Sequence, residues 1–256
     1  MRFLVVAALI AIACGSAAAQ DSAQDNSPEA VARPQQSALR LGQIQWRWGQ
    51  RMNGPGVSVT TKETSRRSTG KQTVVSYRIM TSGLPKDKTY ELLLTSFDLQ
   101  PRPIAQGFTL DESGQVLGGP DDPLDLGLVA AKGEPKRFSL VSEDGQAKAF
   151  FYVTPFPVRG TDKGCSIEEL LLTQNAEAVL IEGSGFAPDV AVHMKALSET
   201  EPHEADLKAD ASGDVSTVLL PFVKGKTDGT GKVTFSTTAC SPSLTYQWGL
   251  HSFQEQ

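Results

Sequence analysis

Beyond residue 41 the chain is written largely in alternation. In Ile44-Gln45-Trp46-Arg47-Trp48 the apolar side chains fall on every second position, with Gln45 and Arg47 between them. A period of two places Ile44, Trp46 and Trp48 on one face and predicts a strand. "QTVVSYRIMTSGL" and "TYELLLTSFD" follow with β-branched and aromatic residues in partial alternation. "FTLDESGQVLGG" and "RFSLVSEDGQAKAFFYVTPF" break at Ser113-Gly114 and Asp144-Gly145 and predict hairpins. After Pro155-Phe156-Pro157, "VRGTDKG" reads as a connector. From Cys165 the same grammar returns in "EAVLIEG", "DVAVHMKAL", "ADLKADASGDVSTVLLPF", "GKVTFSTTA" and "SLTYQW". "SIEELLLT" suits either a strand or a helical turn. No long segment carries apolar residues at 3.6 spacing with a cap at each end. The pattern predicts an all-β chain of short strands, in the manner of a β-sandwich.

Two landmarks recur. "SGLPKDKTYELL" begins at Ser82 and "SGFAPDVAVHMK" at Ser184. Each is followed by a Ser-Gly turn, 31 residues on at Ser113 and 28 residues on at Ser212. Around these turns "LDESGQV" and "ADASGDV" match at Asp111/Asp210, Ser113/Ser212, Gly114/Gly213 and Val116/Val215. Correlated landmarks at similar separation point to one module written twice. The residues have structural reasons. Gly83 and Gly185 permit positive φ in a tight turn. Leu84 and Phe186 can turn inward over a core, and Pro85 and Pro188 reject helix as the next strand begins. In the second copy Val190, Val192 and Met194 share one face.

Gly183-Ser184-Gly185-Phe186-Ala187-Pro188 resembles the Gly-x-Gly-Phe-x-Pro signature that opens many bacterial Ig-like modules, those of the IPT/TIG type included. The chain is also similar to tandem modules in uncharacterised extracytoplasmic proteins of soil bacteria. The resemblance is tightest over 165–249 and weaker over 41–158. Where the family continues Pro-Gly-Glu, this chain has Pro188-Asp189-Val190. The resemblance implies two tandem immunoglobulin-like β-sandwiches serving as spacer, adhesive or accessory modules, and it carries no catalytic residues to transfer.

Ahead of this region stands a different composition. Arg2 followed by the uncharged apolar run Phe3–Ala13 and the small residues Ala17-Ala18-Ala19 predicts a signal peptide over 1–19. Ile12-Ala13-Cys14-Gly15 also fits a lipobox, in which Cys14 would be lipidated. Both routes take the chain out of the cytoplasm, secreted, periplasmic or lipid-anchored. Residues 20–40 are polar, alanine-rich and punctuated by proline, which predicts a disordered spacer. Without Arg2 the chain has 23 basic against 29 acidic residues, a net charge of −6. These charges are dispersed, which argues against nucleic acid and against docking on anionic membranes. No later segment is long and apolar enough to predict a membrane span. Cys165 and Cys240 then lie in an oxidising compartment and are expected to pair. Their 74 intervening residues allow a stabilisation of roughly 4 kcal/mol from the shortened unfolded ensemble.

Candidate chemistry is sparse. Gly183-Ser184-Gly185 lacks the Gly-x-Ser-x-Gly elbow spacing. His193 reads as a strand residue, His203 with Glu204 and Asp206 as a polar loop, and His251 as tail; no zinc spacing occurs. Asp111, Asp121, Asp122 and Asp125 are the best oxygen donors for Ca²⁺, yet their acidic stretch has no EF-hand order and reads as solvated loops. Trp46 and Trp48 on one strand face could stack a sugar, although Ile44 on the same face favours a core stripe. The expected organisation is a signal peptide (1–19), a spacer (20–40), a sandwich (41–158), a disulfide-stapled sandwich (165–249) and a tail (250–256). The expected function is a non-enzymatic surface or envelope module that binds, spaces or scaffolds, without a cofactor, toward a protein or glycan partner. A glycan-binding module built on Trp46 and Trp48 is the alternative, and a hydrolytic or metal-dependent enzyme the rival from another class. The disulfide is checked by intact mass of exported protein: reduction should add two hydrogens, and a thiol-reactive label should find no free Cys165 before it.

Overall fold

The computed structural model describes residues 28–250. The predicted signal peptide, with Cys14, lies outside them, as do residues 20–27 and His251. The chain opens with helix α1 (Pro28–Arg47) and a single 3₁₀ turn, η1 (Gly49–Arg51). Strands follow: β1 (Ser58–Ser68), β2 (Thr73–Ser82), β3 (Tyr90–Thr95), β4 (Pro101–Leu110), β5 (Val116–Gly119), β6 (Asp122–Pro123), β7 (Leu126–Leu128), β8 (Lys136–Ser142) and β9 (Lys148–Val153). After four residues come β10 (Val158–Asp162), β11 (Cys165–Leu171), β12 (Val179–Ser184), β13 (Ala191–Ser198), β14 (Glu201–Lys208), β15 (Val215–Leu219), β16 (Asp228–Ser236) and β17 (Ser243–Gly249). The protein is predominantly β, in antiparallel sheets. Among the described residues no helix is long and apolar enough to cross a membrane.

The sheets fall into two units with the same wiring. In the first, β2 pairs with β1, while β3 pairs with β4 on one side and β8 on the other, and β8 with β9. In the second, β12 pairs with β11, β13 with β14 and β16, and β16 with β17. Each unit closes over its own core. Ile79, Tyr90, Leu92, Phe138 and Leu140 centre the first, and Ile167, Ile181, Val192, Val233 and Phe235 the second. The difference lies after the Ser-Gly turns. In the second unit β15 pairs along β12. In the first, only Gln115 bridges to Met80, and the short β7 takes the place beside β2. The acidic insertion around Asp121 and Asp122 separates the two.

The recurring residues do recurring work. Gly83 and Gly185 have φ of 74° and 81°, and a Cβ on them would collide with the carbonyl oxygens of Gly56 and Gly164. Ser58 and Ser82 share a hydroxyl hydrogen bond of 2.8 Å, and Ser166 and Ser184 one of 3.0 Å. Leu84 and Phe186 are buried in their respective cores. Pro85 accepts a hydrogen bond from the Tyr90 hydroxyl through its carbonyl, and Pro188 precedes Asp189, itself at φ 60°. At the second landmark Asp111 Oδ1 accepts the N–H groups of Ser113 and Gln115, and Asp210 Oδ1 those of Ser212 and Asp214. Gly114 and Gly213 follow at φ 85° and 80°, pressed against the carbonyls of Thr81 and Phe186. Cys165 and Cys240 form the disulfide, with their Cα atoms 6.2 Å apart.

Three sequence expectations are corrected. The spacer predicted over 20–40 is helical from Pro28, and the alternating Ile44–Trp48 is the last turn of that helix and the N-cap of η1 rather than a strand. The helix docks through Ala38, Leu41, Gly42, Gln45 and Trp46, positions that recur at helical spacing. Its platform is the outer face of β11, β12 and β15, where Leu170, Leu172, Ala178 and Leu180 are buried with Ala38. Hydropathy hid this because Ala38, Gly42 and Gln45 let the backbone approach without adding apolar bulk, leaving Leu41 and Trp46 to mark the face. The expected connector at 158–164 is also not a linker, since it forms β10 and the turn into β11.

The glycine turns generate a stability test. Gly114→Ala and Gly213→Ala each combine a left-handed backbone with a carbonyl collision and should cost about 2 kcal/mol or more. Gly145→Ala, with φ 70° but open space around it, should cost clearly less. Urea unfolding monitored by tryptophan fluorescence ranks the three.

Candidate functional site

Among the described residues, charged and polar side chains from both units come together where the two units meet. Helix α1 precedes the first unit in sequence but lies on the second, so the segment Trp46–Asn53 has to cross between them. Trp46 packs beside the sheet of the second unit. Trp48 turns to the first, and its indole N–H is shared between the carbonyls of Phe151 at 3.1 Å and Phe138 at 3.3 Å. Its ring meets Phe150 edge to face at 5.6 Å. Asn53 then caps the same strand, accepting from the Phe150 N–H at 2.6 Å and donating to its carbonyl at 3.1 Å. Trp46 and Trp48, expected on one strand face, are both half-buried and serve different units.

Arg51, at the end of η1, reaches back to the second unit. It bonds Asp214 at 2.6 Å, approaches Asp210 at 3.7 Å, and lies 3.7 Å over the Trp46 ring. The indole face that could have stacked a sugar is covered by a guanidinium. Below it opens a cleft of about 320 Å³, lined by Trp46, Arg51, Tyr152, Arg159, Glu168, Glu182 and Ser184. A row of side chains crosses its floor. Arg159 on β10 stands opposite Glu168 on β11, which stands opposite Glu182 on β12. Two carboxylates directly opposed would repel. Here Arg159 bonds Glu168, and the hydroxyl of Tyr152, from the first unit, donates to Glu182 at 3.0 Å. Burial is the main cause that pushes Glu182 up to about 7, partly offset by the Tyr152 bond. Burial and the neighbouring Glu182 together hold the Tyr152 phenol above its ordinary value.

Deeper in the joint sits Arg137 of β8, 3% exposed. Its guanidinium donates to Gln45 of α1 and to the Leu171 carbonyl of β11, the latter at 3.3 Å. Burial pushes it down to about 10, so it stays charged near neutrality. Alongside, the Leu171 N–H donates to the Gly133 carbonyl at 2.8 Å. Sequence reasoning missed Arg51, Tyr152, Arg137 and the glutamates of the floor. None of them stands in a motif; each is an ordinary strand or turn residue until the units are brought together.

The remaining sequence candidates are dispersed. Asp111 is occupied by its own turn, Asp125 accepts from Thr64 and pairs with Arg78, and Asp121 and Asp122 are exposed on the insertion. Among the described residues no three His, Cys, Asp or Glu side chains converge as a metal site. His193 pairs with Asp206 at 2.8 Å on the outer face of β13 and β14, and Ser184 is held by Ser166. His203 lines a separate apolar groove with Leu39 and Leu220. The joint cleft therefore has its charges matched from within: each carboxylate has a cation or a hydroxyl, and each arginine has an oxygen. That arrangement fastens surfaces.

Glu182 supplies the test. Its carboxyl titrates higher in the folded chain than the ordinary 4.5. Between about pH 4.5 and 7 the folded state holds the extra proton, so stability falls as pH rises through that window and levels off above it. Glu182→Gln should remove this part of the slope and stabilise the chain at pH 8 by on the order of 2 kcal/mol. Thermal unfolding of both forms from pH 5 to 8 checks it.

The chain matches no family model, and no curated protein matches it. Among solved structures, it is similar to a tetra-tandem repeat in the extending region of a large adhesion protein. The likeness covers 76% of this chain and 49% of that one, at 14% identity and a TM-score of 0.26. The chain thus spans about half the length of that structure, and a score this low carries no argument about fold or function.

Proposed function

We propose that this protein is an exported, non-enzymatic spacer or scaffold made of two tandem immunoglobulin-like β-sandwiches held at a fixed angle. The single observation that carries the reading is the joint itself. A buried arginine, a tyrosine–glutamate bond, a shared backbone hydrogen bond and a docked helix all cross between the units. Domains that move freely are joined by exposed, flexible linkers with few crossing contacts. Here only four residues separate β9 from β10. The immunoglobulin-like assignment is supported by the strand order, with β1 and β2 facing a β4-β3-β8-β9 sheet and the same order in β11 to β17. Export is supported by the Cys165–Cys240 bond, since such bonds persist in oxidising compartments. The non-enzymatic reading is supported by the internal pairing of the charges at the joint.

A rigid spacer has a measurable signature. Nitroxide labels at Glu112 on the first unit and Lys224 on the second, both exposed, report the inter-unit distance by pulsed electron resonance. One narrow distribution is expected, and Arg137→Ala should broaden it while each sheet stays folded by circular dichroism. A broad distribution in the unaltered chain would overturn the spacer reading.

A further inference from the structure

The charges at the joint are paired, but Glu169 is not. It follows Glu168 on β11, and alternation turns it to the opposite face, inward with Cys165, Ile167 and Leu171. It is 2% exposed, and among the described residues its Oε1 has no hydrogen-bond partner. A loop of the first unit closes over it. Gly133, at φ 71°, lies so near that a Cβ there would stand 3.2 Å from Glu169 Oε2. Leaving a buried carboxyl oxygen unbonded costs about 1–3 kcal/mol or more. An apolar side chain would serve a core better, as Ile181, its cross-strand neighbour, does.

A cavity of about 300 Å³ adjoins this acid at the edge of the second sandwich, where β17 borders β10 and β11. Val158, directly opposite Glu169, and Leu171 supply apolar wall. Tyr246 and Thr245 of β17 stand across from them, and the exposed Lys132 comes from the closing loop of the first unit. The size is at the low end of small-molecule sites, and Glu169, Lys132, Thr230, Thr245 and Gln247 give it a largely polar lining beside the apolar wall.

We propose that this cavity binds a small neutral polyhydroxylated molecule, of the sugar or polyol class. Glu169 and Lys132 take its hydroxyls, and Val158, Leu171 and Tyr246 back its C–H surfaces. The sign of the lining selects the class. A cationic ligand would meet the Lys132 ammonium, and an anionic one would meet the same desolvation that keeps the proton on Glu169. A hydroxyl both donates and accepts, so it can satisfy an acid and an ammonium at once. Burial pushes the Glu169 carboxyl up to about 8, so near neutrality it carries its proton and is itself a donor and an acceptor. The site needs both units, because Lys132 and Gly133 belong to the first and the rest to the second. It rests on the fixed joint of that reading but not on the spacer role.

The test is NMR titration of the whole isotope-labelled chain with glucose, galactose, N-acetylglucosamine and glycerol, beside propylammonium and acetate as charged probes. Shifts confined to the amides around Glu169, Leu171 and Thr245 are expected with at least one hydroxylated probe and with neither ion. Glu169→Leu should weaken that binding about tenfold or more. Thr245→Val, an exposed change on the far wall that leaves the core intact, should weaken it severalfold and keeps the test valid if Glu169→Leu misfolds. Shifts with propylammonium or acetate alone, no shifts with any probe, or undiminished binding in both variants would overturn the proposal.

Discussion

A guanidinium taken out of water has to be surrounded by oxygens or it does not stay buried. Arg137 is such a group. The carboxylate acting on it, Glu134, is itself bound to Lys136 at 2.6 Å and to the Ala131 N–H at 2.9 Å. The hydrogen-bond acceptors that Arg137 reaches belong to two other elements, Gln45 of α1 and the carbonyl of Leu171 on β11. A single cation thereby ties β8 of the first unit to the helix and to the second unit. Shifting any of the three leaves a buried charge short of an acceptor, a larger penalty than the loss of an ordinary surface contact. The rest of the joint is arranged around that constraint. Trp48 and Asn53 fasten the crossing segment to β8 and β9, Arg51 fastens it to Asp214, and Tyr152 closes the cleft over Glu182.

Two glutamates adjacent on β11 show how one strand serves two purposes. Glu168 faces the joint and is paired with Arg159, so its charge is spent on structure. Glu169 faces inward and has no such partner, although it is the more deeply buried of the two. Burial alone costs it several tenfold steps in acidity, and no contact in the fold recovers that cost. The two sites therefore call for opposite readings, one as a fastening and the other as the site proposed for a hydroxylated ligand. The distinction comes from hydrogen-bond accounting rather than from the shape of either cavity.

Most of the strands were legible in the sequence because their signals are local. Val192 and Met194 alternate into a core, Gly83, Gly114, Gly185 and Gly213 stand where only positive φ fits, and Asp111 and Asp210 form their own turns. A reader of residues can see each of these within a few positions. The helix was not legible. Ala38 and Gly42 make contact by closeness and Gln45 by one polar bond, so Leu41 and Trp46 carry a thin apolar period that the alternation of Ile44–Trp48 overwrites in a local window. Gly42 approaches Val218 so tightly that a Cβ would collide with it, which is a tertiary demand invisible in any local window.

By itself the sequence determined the β character, the hairpins, the repeated turn pair and the candidate disulfide, since each depends on side-chain alternation, backbone permissiveness or redox context. It could not determine that Trp46 and Trp48 part company, because alternation in Ile44–Trp48 mimics a strand when no neighbour is considered. Nor could it reveal the joint or the Glu169 cavity. Arg137 lies 34 residues from Leu171 and 92 from Gln45, and Lys132 reaches β17 only after two units have closed against each other. Whether a charged residue is a solvated ornament, a fastening or a ligand site depends on which oxygens lie within hydrogen-bond reach, and only the tertiary structure brings those oxygens there.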